Sequence, residues 1–150
     1  MTKREIIDDI LSQKTYAIAG MSRSGRKFGN NIATELKKKG FKIFPLHPEA
    51  DDILGEKSYK TFDAMPEKPE AVIIVLPSRQ THNVVKKAFD AGINRIWIQQ
   101  GSDTPEALKF CEENRINYVY GECLLMFAEP LGMVHGFHRF LWKVFGKYPK

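Results

Sequence analysis

A glycine- and cation-rich segment near the start of the chain has the residue types that bind phosphate. It runs from Gly20 to Gly29, reads Gly-Met-Ser-Arg-Ser-Gly-Arg-Lys-Phe-Gly, and follows a short apolar run, Tyr16–Ala19. Gly20 permits a tight turn, and Gly25 or Gly29 would let the backbone approach a ligand. A helix predicted behind the turn offers unpaired N–H groups at the positive end of its dipole, and three cations accompany it: Arg23, Arg26 and Lys27. Phosphate binding is the favoured chemistry, and a plain turn with solvated cations is the alternative.

The spacing within this segment disfavours a dinucleotide such as NAD. The pattern is Gly-x-Ser-x-x-Gly, so Ser22 stands where the dinucleotide fingerprint has its middle glycine. NAD sites also expect an acidic residue after the second strand, where it bonds the ribose hydroxyls. The chain has Pro45-Leu46-His47-Pro48 there, with no acid before Glu49. The sequence therefore favours a phosphorylated ligand other than NAD.

The elements that must position this segment alternate between strand and helix. A capping-box pattern, Thr2 with Glu5, opens the first helix; later helices are predicted at Phe28–Lys39, at Gln80–Ala91 and after Thr104-Pro105. The strands are predicted at Tyr16–Ala19, Phe41–Phe44, Ala71–Leu76, Arg95–Ile98 and Asn117–Tyr120, the second broken by its prolines. Parallel neighbours need crossovers, which helices supply, so we expect an α/β fold with a doubly wound, mainly parallel five-stranded sheet. Ligands bind such sheets at the carboxyl ends of the strands.

Length and charge narrow the classes of partner. The chain has 150 residues, 43% of them hydrophobic and 27% charged, which fits one globular domain with a real core. Its net charge of +5 suits an anionic partner such as nucleic acid, a membrane surface or a phosphorylated metabolite. The surplus lies at the two ends, because residues 1–27 carry six basic and three acidic side chains and residues 124–150 carry four and one. This distribution disfavours a nucleic-acid surface.

Cysteine usage and the N-terminus point to the cytoplasm. Two cysteines, Cys111 and Cys123, are too few for a disulfide framework and lack the spacing of a metal site. The first nine residues include acids where a signal peptide would have its apolar core, and no apolar run is long enough to span a membrane. We expect a cytoplasmic protein with no bound metal and little membrane contact.

Five short motifs in register resemble a known family. They are Gly20-Met21-Ser22-Arg23, Phe44-Pro45-Leu46-His47-Pro48, Ile53-Leu54-Gly55, Trp97-Ile98-Gln99-Gln100-Gly101 and Gly121-Glu122-Cys123. Together they resemble the CoA-binding domain proteins, small stand-alone relatives of the CoA-binding domain in succinyl-CoA synthetase α-subunits. The resemblance covers roughly residues 12–124. It implies a Rossmann-like fold that binds coenzyme A, or an acyl-CoA, at the carboxyl ends of the strands.

The resemblance also implies roles for individual residues. Gly20, Ser22 and Arg23 would contact the phosphates, with Met21 beside them in the cofactor site. The chemistry of the segment itself adds Arg26 and Lys27 as further cations there. The adenine and ribose would be enclosed by Pro45, Leu46, His47 and Pro48 on one side and by Leu76, Pro77 and Arg79 on the other. Gln100 and Gly101 would lie near the pantetheine arm. Coenzyme A carries a pyrophosphate and a 3′-phosphate, so it requires cations rather than a ribose-binding acid.

We expect a binding protein rather than a ligase. Synthetase chemistry needs an ATP-binding module and a phosphorylated histidine, and none of the four histidines (His47, His82, His135 and His138) lies in the corresponding segment. A non-catalytic carrier, sensor or regulatory protein is therefore the favoured function. The alternative is a small NAD(P)-binding oxidoreductase-like protein in which Arg23 or Arg26 takes a 2′-phosphate.

Cys123 and the last residues leave alternatives open. Cys123 follows the fifth strand, where its thiolate could form a mixed disulfide with the CoA thiol; packing in the core is the favoured interpretation.

Residues 1–123 are taken as the CoA-binding domain and residues 124–150 as an amphipathic helical tail. That tail would run between Pro130 and Gly146, with four apolar residues on one face: Val134, Phe137, Leu141 and Val144. It would pack on the domain, form a homodimer interface or, least favoured, lie on a membrane.

Overall fold

The computed structural model describes residues 2–127, which form a parallel sheet with helices on both faces. The helices are α1 (Lys3–Leu11), α2 (Phe28–Lys38), α3 (Ser78–Asp90) and α4 (Pro105–Glu113). The strands are β1 (Thr15–Ala19), β2 (Lys42–Leu46), β3 (Asp52–Ile53), β4 (Glu56–Lys57), β5 (Ala71–Ile74), β6 (Arg95–Gln99) and β7 (Asn117–Glu122). Short 3-10 turns occur at Phe62–Ala64 and Leu124–Met126.

The main sheet has the strand order β2-β1-β5-β6-β7, and every neighbouring pair is parallel. From β1 the chain passes to β2 at one edge of the sheet, and it then crosses back to β5, β6 and β7 on the other side of β1. The strand order therefore reverses between β1 and β5. Helices α1 and α2 pack on one face of the sheet, and α3 and α4 pack on the other. The predicted Rossmann-like, doubly wound, five-stranded α/β fold is confirmed.

Burial on both faces explains why the central strands read as continuous apolar runs. All four residues of β5 are fully buried, although their side chains alternate between the two helical layers. Ala71 and Ile73 pack toward α1 and α2, whereas Val72 and Ile74 pack toward α3 and α4. When helices cover both faces of a parallel sheet, both sets of side chains on a strand are buried, so apolar and polar residues do not alternate along it. The same layout buries Trp97 of β6 completely.

Local signals place the helix ends close to their predicted positions. Thr2 caps α1 with a complete capping box, in which Glu5 N donates to Thr2 Oγ1 and Thr2 N donates to the Glu5 carboxylate. Thr104 caps α4 through its hydroxyl, and Pro105 occupies the first turn. Helix α2 is followed by Gly40 at φ +89°, the left-handed conformation that ends a helix.

Strand β2 continues through the proline that was expected to break it. Pro45 pairs in register with Ile18 of β1, and the strand ends at Leu46. Strand β2 lies at the edge of the sheet. A proline is tolerated there because its missing N–H would face away from β1, so no hydrogen bond between the two strands is lost. On that side the Pro45 carbonyl accepts from Tyr59 N at 2.9 Å, and His47 N donates to Tyr59 O at 2.9 Å.

A two-stranded hairpin, β3–β4, was not predicted from the sequence. Its strands have two residues each and pair antiparallel around Leu54 and Gly55, at φ +52° and +82°. These two positive φ values are those of a type I′ hairpin turn, which usually carries Asn-Gly rather than Leu-Gly. Leucine in this conformation is strained. Because the usual Asn-Gly signal is missing, the turn could not be predicted from the sequence.

The residues directly after Cys123 pack into the core. Leu124, Leu125, Met126 and Phe127 are all buried on the α1/α2 side of the sheet, and the Phe127 ring lies 5.8 Å from that of Trp97. The rest of the predicted tail, with its apolar face, His135 and His138, lies outside the described residues. Among residues 2–127, no helix has both the length and the apolar character needed to cross a bilayer.

Candidate functional site

The point where the strand order reverses brings the first glycine against the end of β5. Gly20 follows β1 at φ +124°, and a Cβ atom built on it would lie 2.1 Å from the Val75 carbonyl oxygen. A Cβ on Gly29, in the first turn of α2, would lie 2.6 Å from the Gly20 carbonyl oxygen. Both positions therefore need glycine so that β1, β5 and α2 can meet at close range. Gly29 is therefore needed for helix–strand packing, and the ligand approach considered for it from the sequence stays a prediction.

The loop between these glycines is held by a buried asparagine that sequence analysis missed. The Asn30 side chain accepts from Ser22 N at 2.9 Å and donates to Ser22 O at 3.0 Å. Asn30 is 4% exposed, on the first turn of α2. Its amide thus clamps the loop backbone to the helix from within, and Met21 beside it is buried in the α1/α2-side core.

The outer surface of the loop is cationic. Arg23, Arg26 and Lys27 are all exposed, and Lys27 precedes the first residue of α2. No side chain caps this helix N-terminus, and its first turn has no acidic residue. The Arg23 guanidinium forms an exposed ion pair with Glu49 at 3.5 Å, between the loops that follow β1 and β2. The loop surface therefore combines the positive end of a helix with exposed cationic side chains, an arrangement suited to phosphate.

His47 organises the turn after β2 instead of presenting a free imidazole. Its Nδ1 accepts from Glu49 N at 3.0 Å and from Ala50 N at 2.9 Å. Burial lowers the pKa of His47 below its ordinary value, and the nearby Arg23 lowers that pKa further. Glu49 acts in the opposite direction, while Lys27 adds a smaller lowering effect. The imidazole is therefore neutral at pH 7.

Acidification should weaken the fold through this histidine. A protonated Nδ1 cannot accept the two N–H groups, and a lowered folded-state pKa means that His47 contributes stability above pH ~6.5, which is lost as pH falls through its folded pKa. We expect denaturant midpoints measured between pH 7.5 and 5 to fall more in the parent protein than in His47→Asn, whose side chain makes the same kind of turn without titrating. Parallel pH curves for the two proteins would contradict this role.

The β3–β4 hairpin leans over the loop. A Cβ on Gly25, at φ +73°, would lie 3.0 Å from a methyl carbon of Leu54, so the hairpin tip contacts the loop at this glycine. Leu54 is 64% exposed despite its apolar side chain. The strained residue thus lies beside the candidate phosphate site, with an exposed apolar surface facing solvent.

A cleft of about 720 Å³ opens at the same edge of the sheet, on the α3 side. Its mouth is formed by the last residues of β1 and β2, Ala19 and Leu46, together with Pro48 after β2 and Leu76 after β5. The cleft then follows α3 from Arg79 to Ala91, and residues 60–63 complete its lining. A cleft of this size and mainly apolar lining matches a small-molecule site.

The predicted site residues divide between the cleft, the loop and the positions around them. Leu46, Pro48, Leu76 and Arg79 line the cleft, whereas Pro45 is buried in β2 and Pro77 precedes α3. Gln100 and Gly101 form an exposed turn after β6, outside the cleft. That turn is tied to α3 by Thr81, whose hydroxyl donates to Ser102 O at 2.6 Å.

Both cysteines are buried. Cys123 is 6% exposed in the α1/α2-side core, which is the environment of a packing residue. Cys111 is fully buried against α3 and the sheet, and burial raises the pKa of its thiol to about 12. Within residues 2–127 no cluster of histidine, cysteine and carboxylate side chains could hold a metal ion.

Comparisons with known proteins agree with this architecture. The family described as the CoA binding domain matches residues 14–129. The chain is 33% identical over 109 residues to an ADP-forming acetate–CoA ligase II of Archaeoglobus fulgidus, covering 71% of this chain and 16% of that ligase. It therefore spans about a sixth of that relative's length.

Two solved structures from Pyrococcus share the fold over most of their length. A conserved hypothetical protein of Pyrococcus furiosus has a TM-score of 0.69 and 32% identity, covering 74% of this chain and 96% of that one. A hypothetical protein of Pyrococcus horikoshii has a TM-score of 0.75 and 25% identity, covering 83% and 87%. With a family match that spans most of its length, the chain belongs to the CoA-binding domain family.

Proposed function

We propose that the protein binds coenzyme A, or an acyl-CoA, at the carboxyl edge of its sheet. The observation that carries this proposal is the Gly20–Lys27 loop, which lies at the reversal point of the strand order and combines close backbone packing with three exposed cations. The pyrophosphate would lie over this loop and the N-terminus of α2. The adenine would enter the mouth of the neighbouring cleft, between Leu46, Pro48 and Leu76.

The charge pattern favours CoA over NAD. Glu49 is the first acidic residue after β2, and its carboxylate is paired with Arg23. CoA brings a pyrophosphate and a 3′-phosphate, which cations bind through charge-assisted hydrogen bonds. The cationic loop thus complements CoA better than it complements the ribose hydroxyls of NAD.

We propose a binding role for the protein, as a carrier, sensor or regulatory protein. The contacts of its histidines support this role. Among residues 2–127, no hydrogen bond joins a serine or a cysteine to a histidine, the pairing that activates the nucleophile in Ser–His and Cys–His enzymes. His47 is committed to its turn, and His82 packs edge-on against Phe110 with ring centres 5.6 Å apart.

The test is a calorimetric titration with CoA, acetyl-CoA, NAD and NADP in one buffer. We expect CoA or acetyl-CoA to bind most tightly and to raise the melting temperature by mass action. No binding of either CoA species, together with clear binding of NADP, would replace this proposal with the dinucleotide alternative.

Two variants of opposite sign test the role of the loop cations. Arg23→Ala is expected to weaken CoA binding about tenfold, because it removes a charge-assisted contact to phosphate. Glu49→Gln should strengthen binding by a few-fold, because it frees Arg23 from an exposed ion pair that is worth at most about 1 kcal/mol. Unchanged affinity in both variants would remove Arg23 from the site.

A further inference from the structure

The cleft extends beyond the mouth that would receive adenine. Along α3, Arg79, Asn83 and Lys87 lie at successive four-residue steps and all contribute to the lining. Four-residue spacing places side chains on one face of a helix. Lys60 and Phe62, from the segment after the hairpin, also line the cleft. A polar stripe with cations therefore begins directly beside the apolar mouth.

Two cations of this stripe, Arg79 and Lys87, form no ion pair with a carboxylate in the described part of the chain, and of the two Arg79 lies in the first turn of α3. Arg23 is paired with Glu49, and Lys60 lies 3.7 Å from the Asp51 carboxylate. No carboxylate among residues 2–127 forms an ion pair with Arg79, which projects from the first turn of α3. That first turn has no acidic residue and no side-chain cap, so the helix dipole adds positive potential at the same place.

One of the two acids that line the cleft, Asp90, lies far from Arg79 along the helix. Asp90 lies eleven residues after Arg79, about 16 Å away along the axis of α3. Asp63 belongs to the 3-10 turn, beside Phe62. An anion that reached the cleft from its mouth would therefore meet Arg79 and the Asn83 amide before it met Asp90.

Building on the proposed function, we propose that Arg79 binds the 3′-phosphate of CoA, with Asn83 and Lys60 as neighbouring donors. The cleft would then distinguish CoA from dephospho-CoA, which has the same adenine, pyrophosphate and pantetheine. A guanidinium can bind a phosphate through two parallel N–H bonds, which gives geometric selectivity as well as attraction.

The position of the cleft relative to the loop agrees with the shape of the ligand. Ala19 lines the cleft mouth, and the next residue, Gly20, begins the phosphate loop. The ribose links the adenine to both the 5′-pyrophosphate and the 3′-phosphate. A ribose at this junction would direct one phosphate group toward the loop and the other toward α3.

The experiment measures the affinities of CoA and dephospho-CoA by calorimetry at fixed ionic strength, for the parent protein, Arg79→Gln and Lys86→Gln. Lys86 is an exposed cation on the same helix that does not line the cleft, so its variant makes the same change in net charge. We expect the parent to prefer CoA by about tenfold or more, and Arg79→Gln to lose most of that preference by weakening CoA alone. Lys86→Gln should keep the preference.

Each other outcome overturns the assignment in a recognisable way. Equal affinity of the parent for CoA and dephospho-CoA would overturn the 3′-phosphate site while leaving the proposed CoA binding intact. Arg79→Gln weakening both ligands equally, or neither, would show that Arg79 does not read the 3′-phosphate. If the parent binds neither ligand, both the proposed function and this inference fail.

Discussion

Replacing Gly20 with alanine is expected to destabilise the protein by about 3 kcal/mol or more, a large part of the stability of about 5–15 kcal/mol that is typical of a folded domain. The added methyl group would lie 2.1 Å from the Val75 carbonyl oxygen, and φ is +124°, a conformation that only glycine adopts readily. Relief would require β1 and β5 to separate at the centre of the sheet. Urea denaturation followed by circular dichroism measures the loss.

Gly40→Ala is the matched control for this substitution. Gly40 also has a positive φ, +89°, but nothing lies within 4 Å of a Cβ built on it. Its replacement should cost only the backbone term, about 1–2 kcal/mol. The difference between the two variants then measures the close packing at the reversal point. Equal losses would mean that the contact with Val75 relaxes without cost.

Asn30→Asp is expected to disrupt the Gly20–Lys27 loop more than any exchange of an exposed loop residue. An ionised carboxylate can still accept from Ser22 N, but it cannot donate to Ser22 O, and it leaves a buried negative charge facing that carbonyl. We expect a loss of about 3 kcal/mol in stability at pH 7, together with a fall in CoA affinity of at least about tenfold. Denaturation and calorimetry on the same samples measure the two effects.

The next residue supplies the control. Asn31 is exposed on α2, so Asn31→Asp introduces the same charge one position away without touching the buried amide. A negative charge in the first turn of a helix is mildly stabilising, so this variant should unfold within about 0.5 kcal/mol of the parent. Similar losses in the two variants would show that added charge, and not the clamp on Ser22, controls the loop.

The sheet and the position of its loop could be predicted because they depend on local patterns. The apolar run at Ala71–Leu76 matches a strand buried on both faces, and β5 occupies its first four residues. Strand–helix alternation then allows few topologies, and each of them gathers the strand ends at one edge. Gly20 and its cations were accessible to sequence analysis for this reason.

The inner supports of the site could not be predicted, because each depends on a tertiary contact. Asn30, in the first turn of a helix, has the sequence character of a solvated polar residue, yet its amide is buried against Ser22. The cleft joins residues from Ala19 to Ala91, which no short motif connects. The β3–β4 hairpin has strands of only two residues, below the length at which periodicity is visible.

The proline in β2 also has a consequence for self-association. An open sheet edge is a template on which another chain can add a strand, and proteins commonly protect such edges. Here Pro45 offers no N–H, its carbonyl is already bonded to Tyr59, and Lys42 places a charge at the start of the strand, 3.4 Å from Glu67. This edge is therefore closed to edge-to-edge aggregation. Among the described strands, β7 forms the opposite edge of the sheet, and it is the edge at which a second copy could extend the sheet.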